Sequence, residues 1–254
     1  MRLDTRELSL DGLRRDIGGL PPASSDTTIA SNLALIGRLG RPASVVALLE
    51  QLLEEDDALA QIAARSYRHV NHFDKIVLVD SERKSDYRLT LHLWQPPYTE
   101  EELNEELIHD HRFSFWSTVL AGTLRSESFQ GSDTGRIYRQ YEYVPERRTK
   151  TNLYTFVGEA SLRSNGTAEE HAGGSYYLPY ETIHRVELPR QDITCTLVLR
   201  GPRERDNSNI FNTSYPQTDT RVTNRPFSPR QLAAKLASLA EAVSIRARAG
   251  QGAP

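Results

Sequence analysis

The sequence predicts a mainly β domain, a barrel or sandwich of short strands, with helical segments at both ends. Between residues 73 and 202, short runs of alternating apolar and polar residues are separated by turn-forming residues. No helical pattern interrupts these runs, which argues against parallel strands joined by helices. We therefore divide the chain into a helical N-terminal extension (1–72), a β-barrel (73–202) and a C-terminal loop and helix packed on the barrel (203–254).

The N-terminal extension is predicted to be helical because apolar residues recur at helical spacing from Val45 to Ile62. Ser44 can act as the N-cap of this helix. The C-terminal region is predicted to end in a second helix, with Ser228 as N-cap and Pro229 at the first helical position. The apolar stripe of this second helix consists of Leu232, Leu236, Leu239 and Val243.

The barrel region contains nine candidate strands, which are short runs rich in apolar, β-branched and aromatic residues. Segments rich in Gly, Ser and Asn predict turns between them, among them 131–135 and 164–166. The candidate strands are 75–79, 87–94, 113–120, 123–129, 136–144, 152–157, 175–178, 184–186 and 193–199.

Composition argues against several classes of partner and location. The formal net charge is −3 and no dense Lys/Arg run occurs, so nucleic acid is not an expected partner. No apolar stretch reaches about 18 residues and no signal-peptide pattern is present, so neither a membrane span nor a leader is expected. Cys195 is the single cysteine, which excludes an internal disulfide, and the expected location is the cytoplasm.

The strongest functional signal is a pair of histidines, His109 and His111. On a strand, side chains at i and i+2 point to the same face, so the two imidazoles would lie side by side, on a strand expected to run on to Gly122. His184 is a candidate third ligand. Three histidines that converge inside a barrel would form a transition-metal site, whereas the alternative is a pair of surface imidazoles.

The β region resembles the cupins, small jelly-roll barrels whose first motif carries H-x-H before a strand that ends in glycine. His109, His111 and Gly122 stand in those places. Many cupins add an acidic ligand four or five residues after H-x-H, where this chain has Phe115 and Trp116. The resulting three-histidine set resembles the thiol dioxygenase branch, the cysteine dioxygenase-like cupins.

The second cupin motif runs Gly, then Pro-x-Gly-x-x-His. Gly174, Pro179 and His184 match it, and Glu181 replaces the inner glycine. The segments 87–94 and 184–187 are also similar to the thiol dioxygenases. The resemblance covers residues 73–202 and implies a single cupin (jelly-roll) barrel.

The resemblance also implies the metal and the type of reaction. The family binds iron and inserts oxygen, so the implied cofactor is Fe(II) held by the three histidines. Lys75 falls where the family carries the arginine that binds the substrate carboxylate. The family's Ser/His/Tyr trio is missing, with Cys195, Leu197 and Leu199 in its approximate places, which argues against cysteine itself as the substrate.

Three neutral imidazoles leave Fe(II) with its full charge, which favours an anionic, chelating substrate and leaves positions open for it and for O2. Zinc is the alternative metal, because three histidines and water also describe a zinc site. Ligand type does not separate the two metals, and the resemblance favours iron.

Further side chains are candidates for contact with the substrate. The resemblance places Trp94 inward, and alternation brings His92 to the same face, either as a hydrogen-bonded barrel histidine or in a substrate or proton-relay role. Trp94 and Phe115 are expected to contact the substrate. Tyr176 and Tyr177 alternate faces, so one of them should line the cavity and could donate to bound oxygen.

Two arginines directly follow proposed ligands. On regular strands, Arg112 and Arg185 are each expected to point away from the metal. Cys195 lies in an apolar alternation and is expected to be a buried structural residue.

The function predicted from the sequence is therefore an oxygenase that uses Fe(II) and O2 to oxidise a small anionic substrate, of amino-acid or thiol-like type. The alternatives are a metal-dependent hydrolase, isomerase or lyase on the same barrel, and a non-catalytic cupin that binds a small ligand. The resemblance implies that a homodimer can form through barrel faces, although no interface is readable in the sequence.

Overall fold

The computed structural model describes residues 9–21, 26–80, 83, 86–146 and 150–251. Within these residues, two antiparallel six-stranded sheets enclose a cavity, and helices lie at both ends of the chain. The predicted fold class is confirmed as a mainly β fold with N- and C-terminal helical additions.

The elements follow one another as four helices, a strand-rich region with one short helix, and a final helix. The helices are α1 (Leu10–Gly18), α2 (Asp26–Leu39), α3 (Pro42–Glu54), α4 (Asp56–Ala63), α5 (Glu100–Asn104) and α6 (Pro229–Gln251). The strands are β1 (Tyr67–Arg68), β2 (Asp74–Val79), β3 (Arg88–Trp94), β4 (Ile108–His109), β5 (Phe115–Ala121), β6 (Thr123–Glu146), β7 (Thr151–His171), β8 (Ser175–Leu178), β9 (Ile183–Val186), β10 (Thr194–Arg200), β11 (Ser208–Asn212) and β12 (Thr220–Thr223).

The first sheet has the strand order β1-β2-β3-β10-β5-β8, and the second has the order β11-β4-β9-β6-β7-β12. Strand alternation divides the first sheet into two faces. On β3, Leu89, Leu91 and Leu93 are at most 1% exposed and pack in the core shared with the helices. The residues that alternate with these leucines face the cavity, and they are Arg88, Thr90, His92 and Trp94.

The outer face of the first sheet is covered by the terminal helices. The predicted cap of α6 is confirmed, because the Ser228 hydroxyl accepts from the Gln231 N–H (3.2 Å) and the Gln231 side chain accepts from the Ser228 N–H (2.9 Å). The predicted apolar stripe of α6 is fully buried in the same core as the inner leucines of β3.

The N-terminal extension is helical as predicted, but its predicted cap is wrong. Helix α3 begins at Pro42, with Arg41 as the N-cap residue, and Ser44 lies inside the helix. Proline is favoured at the first helical position, because its fixed φ suits the helix and the missing N–H would have no partner there. The predicted single helix is also interrupted at Glu55, which separates α3 from α4.

The two turns predicted at 131–135 and 164–166 are wrong. Residues 123–146 form one continuous strand that pairs with β7 along its length. Gly131 and Arg136 both pair with Leu162, so the residues between them form a bulge. A second register shift lies between Ser128 and Phe129, opposite 164–166. The turn-forming residues therefore mark irregularities inside a long hairpin.

The sequence did not predict several short elements. These are β1, β4, β11, β12 and α5. Two of them, β11 and β12, lie in the C-terminal region, where only a loop and a helix were expected, and both pair into the second sheet. Because β11 pairs with both β4 and β6, the C-terminal region forms part of the cavity wall.

No single described helix is long and apolar enough to span a membrane. The bent pair α2 and α3, which meet at 65°, satisfies the length and composition criteria only when the two are taken together.

Candidate metal centre

Three histidine side chains converge between the sheets. One ligand nitrogen from each of His109, His111 and His184 lies within 4.8 Å of the others. The Nε2 atoms of His111 and His184 are 2.9 Å apart. In the part of the chain that the structure describes, this is the only group of three or more residues arranged to hold a metal ion.

Short strands of the second sheet position these histidines. His109 on β4 lies directly opposite His184 on β9. The other edge of β4 pairs with β11, where Ile210 is opposite His109. His111 lies beyond the end of β4, and its backbone N–H donates to the Tyr180 carbonyl (3.0 Å).

The expectation that the H-x-H pair begins the strand ending at Gly122 is wrong. His109 belongs to β4 of the second sheet, whereas β5, which ends at Ala121, belongs to the first sheet. The chain therefore crosses between the sheets over residues 110–114, which we call the corner segment. The two imidazoles converge because the chain turns at this corner, not because they alternate along one strand.

Asp110 anchors the corner segment. Its buried carboxylate accepts from the backbone N–H (2.6 Å) and the side-chain amide (2.7 Å) of Asn209, and it forms an ion pair with Arg205. The Asp110 carboxylate is therefore bound to β11 and to the segment that precedes it. Among the described residues, no acidic group joins the three histidines.

Hydrogen bonding assigns one nitrogen of His109 to the protein and the other to a ligand. Nδ1 of His109 lies 2.8 Å from the Leu107 carbonyl, so this nitrogen is the donor in the neutral ring and Nε2 is left with its lone pair. Leu107 holds a left-handed backbone conformation (φ 53°) that directs this loop. The Asn71 amide nitrogen lies 3.3 Å from Nδ1 and 3.4 Å from Nε2.

Burial keeps the cluster uncharged. Desolvation lowers the pKa of His111 and His184 well below the usual range, and the neighbouring histidines lower it further. Desolvation also lowers the pKa of His109, partly offset by the Leu107 carbonyl and Asp110. Neutral imidazole is the form that binds metals.

These residues fit a transition-metal ion. Two ligands on bonds of about 2.0–2.1 Å at right angles lie roughly 3 Å apart. The 2.9 Å between the Nε2 atoms of His111 and His184 matches that separation. Three neutral nitrogen donors suit iron, zinc or copper better than magnesium or calcium, which prefer oxygen.

The cluster opens into a cavity of about 300 Å³ that both sheets line. Lys75, for which a substrate-binding role is predicted, lines this cavity. Burial, then the positive charges of Arg88, Arg200 and Arg112, lower the pKa of Lys75 to about 7, and Asp80 opposes the shift. Above this pH, Lys75 therefore loses its charge unless an anion lies beside it.

His92 lies opposite Lys75 on the neighbouring strand and also lines the cavity. Its Nε2 lies 3.2 Å from the Thr90 hydroxyl, and its ring lies 4.3 Å from that of Phe73. Desolvation, then Lys75 and His109, lower its pKa well below the usual range. His92 is thus a neutral, hydrogen-bonded group inside the cavity, which is compatible with both roles considered from the sequence.

Aromatic side chains form much of the apolar wall. Phe115 lies edge-on to the His111 ring (5.1 Å) and close to Tyr176 (6.1 Å). Trp94 packs against Phe73 (5.1 Å) at the end of β3. Both predicted contact residues, Trp94 and Phe115, line the cavity.

The two candidate tyrosines are on opposite faces of β8. Tyr176 lines the cavity, and burial raises its pKa to about 12, so it is protonated at neutral pH. Tyr177 packs against Trp116 (5.2 Å) in the core that the first sheet shares with the helices. Tyr177 is therefore removed from the candidate site, because β8 presents one of the pair to each side.

The two arginines that follow proposed ligands also differ. Arg185 bonds to Glu127 (2.7 and 2.9 Å) on β6 and, as expected, does not line the cavity. Arg112 does line the cavity, so that expectation is wrong for it. The reason is the corner segment, because Arg112 lies in a bend where strand alternation does not apply. Cys195 is fully buried, as expected, and burial raises its pKa.

Sequence reasoning missed several cavity residues. Asn71 lies in the loop before β2, and Arg203 lies after β10. Arg88 and Arg200 lie at opposed positions of β3 and β10. Arg88 shares the inward alternation of His92 and Trp94, so that pattern could have identified it. Asn71 and Arg203 carried no comparable signal.

Comparisons with known proteins define no family for this chain. No protein-family model matches it, and no curated protein matches its sequence significantly. Among solved structures, similar ones include FeII HppE (9% identity, 53% of this chain and 54% of the other, TM-score 0.33). Others are a structure of the DMSP lyases RdDddP and RnDddQII (15% identity, 56% and 53%, TM-score 0.30) and hydroquinone 1,2-dioxygenase PnpCD (15% identity, 50% and 62%, TM-score 0.30). The matches span about half the length of the first of these chains.

Proposed function

We propose that this protein is a cupin oxygenase that uses Fe(II) and O2 to oxidise a small anionic substrate bound at a three-histidine site. One observation carries the proposal. In the described part of the chain, three neutral imidazoles without an accompanying acidic ligand line a cavity that is also lined by several cationic side chains. Such a centre keeps the full charge of the metal and attracts an anionic, chelating substrate.

His109, His111 and His184 would hold the ion through their ring nitrogens. When bound, Fe(II) supplies Lewis acidity and one-electron chemistry with O2. The Leu107 carbonyl holds the His109 ring, and the Asp110 anchor holds the corner segment that carries His111. Such outer contacts typically contribute 10–100-fold to metal affinity or activity.

The other cavity residues would bind and shield the substrate. Lys75 would pair with an anionic group of the substrate, and that pairing would favour its charged form. Phe115 and Trp94 would contact apolar parts of the substrate and exclude water. Tyr176, protonated at neutral pH, would donate a hydrogen bond at the reacting centre. His92 would accept or donate a proton through its hydrogen bond with Thr90.

The finer classification is also a proposal. The missing acidic ligand and the position of Lys75 favour a relative of the thiol dioxygenases that acts on an amino-acid-like or thiol-like anion. The replaced Ser/His/Tyr trio argues against cysteine itself. We also propose that the protein is located in the cytoplasm and forms a homodimer.

The first test measures metal content and oxygen uptake together. Purified protein should contain about one iron per chain by elemental analysis and should consume O2 with at least one member of a panel of thiols, amino acids and small carboxylates. His109→Ala should lose both the metal and the oxygen uptake. The matched control is His171→Ala, because His171 is exposed at the end of β7 and outside the cluster.

Two outcomes would contradict the oxygenase. His109→Ala that retains stoichiometric metal would refute the ligand set. Full turnover without O2 would assign the same site to a hydrolase, isomerase or lyase.

A further inference from the structure

His72 lies between two carboxylates. Its Nε2 is 2.6 Å from Glu105, and its Nδ1 is 3.3 Å from Glu102. A neutral imidazole has one N–H donor and the imidazolium has two, so the charged ring is the form that can bind both carboxylates. The side chains of His72 and Glu105 are only 17% and 18% exposed, so solvent screens this pair less than it screens a surface ion pair.

Other groups also hold the two carboxylates. Tyr215 donates its hydroxyl to Glu105. Glu102 accepts from Arg68 (3.3 Å) and completes the capping box of α5. His72 therefore connects two carboxylates that already have fixed partners. We call the group the clamp, and its members are His72, Glu102, Glu105 and Tyr215.

The clamp joins three segments that are distant in sequence. His72 lies in the turn over residues 69–73, which leads into β2. Glu105 lies between α5 and β4, and Tyr215 lies in the loop that follows β11. A contact between such distant segments restrains each of them through the other two, so the loss of one member loosens all three.

Each of these segments also contacts His109 or its strand. The Leu107 carbonyl lies 2.8 Å from Nδ1 of His109, and Leu107 is two residues after Glu105. The Asn71 amide nitrogen lies 3.3 Å from Nδ1 and 3.4 Å from Nε2 of His109, and Asn71 directly precedes His72. Strand β11 pairs with β4 opposite His109. The clamp therefore joins the segments whose contacts determine where the His109 ring lies.

Two residues of these segments hold left-handed backbone conformations. His72 itself has φ 58°, and Leu107 has φ 53°. Residues other than glycine seldom adopt this conformation, and they keep it where the surrounding structure determines it. The ion pair between His72 and Glu105 lies at the first of these residues and two residues before the second. It is thus placed to maintain both conformations.

We propose that His72 is a positioning residue for the metal centre, and that its ion pair with Glu105 sets the orientation of the His109 ring. This inference rests on the proposed function, because it assigns a role at the three-histidine site. The clamp would hold the Leu107 carbonyl against Nδ1 of His109, which keeps the proton on Nδ1 and leaves the lone pair of Nε2 for a metal ion. Without the clamp, the ring would rotate and exchange between its two neutral tautomers.

The test uses His72→Gly, because glycine accepts the left-handed backbone at this position and only the side chain is lost. The first readout is the affinity of full-length, metal-free protein for Zn(II) and Co(II), measured by competition with a chelator. His72→Gly should bind both ions about 10–100-fold more weakly, which is the usual effect of losing an outer contact of a metal ligand. Glu105→Gln keeps the shape of the side chain but removes its charge, and it should weaken binding by about tenfold.

The second readout does not depend on a metal ion. Nitrogen nuclear magnetic resonance of the metal-free protein distinguishes the tautomers of each imidazole. In the unchanged protein, His109 should carry its proton on Nδ1, whereas His72→Gly should give a mixture of the two tautomers. A merely structural role of His72 would lower the thermal midpoint without changing the tautomer of His109.

The matched control is His171→Gly, because His171 is an exposed histidine at the end of β7 whose ring contacts Thr123. This variant should match the unchanged protein in both readouts. Equal metal affinity in His72→Gly, Glu105→Gln and His171→Gly would overturn the proposal. A loss of affinity with an unchanged tautomer would overturn it as well, because the effect would not act through His109. Circular dichroism verifies each fold, and the two clamp variants lie on different segments, so one folded variant is sufficient.

The two readouts also separate this inference from the proposed function. Unchanged protein that binds neither ion would refute the metal centre, and the tautomer of His109 in His72→Gly would then decide the role of the clamp. Metal binding without oxygen uptake for any substrate would refute the oxygenase and leave the clamp in place. Full metal affinity and a single His109 tautomer in both clamp variants would refute the clamp and leave the proposed function intact.

Discussion

Tyr176 and Tyr177 illustrate how much of a site depends on the direction of single side chains. They are adjacent in sequence and of the same type, yet only Tyr176 lines the cavity. Tyr177 packs against Trp116 on the other side of the sheet. Of the two, only Tyr176 is placed where it could contact a molecule in the cavity.

This difference predicts opposite effects of the same substitution. Tyr176→Phe removes a hydroxyl from the cavity and should lower kcat by about 10–100-fold if that hydroxyl donates in the reaction. Tyr177→Phe should leave kcat within about twofold. The measurement is steady-state oxygen uptake, with thermal unfolding as a control for stability. Equal kcat in the two variants would exclude a catalytic role for Tyr176.

At the residue scale, the sequence predicted the members of the site better than their positions. The histidines were identifiable because H-x-H together with a distant histidine is a pattern that can be recognised in the sequence alone. Arg112 was assigned to the wrong side, because alternation holds only on a strand and this residue lies in a bend. Arg200 gave no signal as a site residue, because its inward position depends on its pairing with Arg88.

The turn between β5 and β6 determines how the first sheet connects to the second. Gly122 makes this turn with φ 72°, a conformation that favours glycine. A Cβ atom at this position would lie 2.5 Å from the Ile193 carbonyl oxygen and 2.6 Å from the Thr194 hydroxyl. No side chain fits there without movement of backbone atoms.

Gly122→Ala should therefore lower the free energy of unfolding by at least about 2 kcal/mol. Urea denaturation is the measurement. Gly131→Ala is the matched control, because a Cβ atom at Gly131 on β6 would meet no other atom within 4 Å, and its effect should stay within about 0.5 kcal/mol. A similar loss in both variants would show that the tight turn is not the cause.

At the element scale, regular alternation was predictable and irregularity was not. The strands of the first sheet follow the apolar pattern closely, because one face packs on helices and the other lines the cavity. Strand β4 was not predicted as a separate strand, because a strand of two residues carries no periodicity of its own. The sequence prediction divided the long hairpin of β6 and β7 into shorter strands, because residues typical of turns also occur in bulges. Only the pairing of β6 with β7 distinguishes a bulge from a turn.

The helices and the first sheet share one hydrophobic core. Leu236 of α6, Leu49 of α3 and Leu91 of β3 all belong to it and are at most 1% exposed. An element whose buried face is shared in this way cannot detach without exposing the other elements. The molecule should therefore unfold in one transition.

Leu236→Ala tests this cooperativity. The cavity left behind should lower the free energy of unfolding by about 2–5 kcal/mol. Far-ultraviolet circular dichroism and the fluorescence of Trp94 and Trp116 should report the same shifted midpoint. Ile245→Ala is the control, because Ile245 is 60% exposed, and its effect should stay within about 0.5 kcal/mol. Two separate midpoints in Leu236→Ala would show that the helices unfold independently.

The corner segment has a consequence for how such a chain can diversify. It joins two sheets whose registers are fixed by other strands, and it carries Arg112 between the ligand His111 and the first residue of β5. A one-residue insertion or deletion after His111 would leave both sheets paired and all three histidines in place, because bends tolerate length changes that strands do not. It would nevertheless present a different side chain to the cavity. Length variation at this corner is thus a route to a different cavity lining that leaves the histidine cluster unchanged.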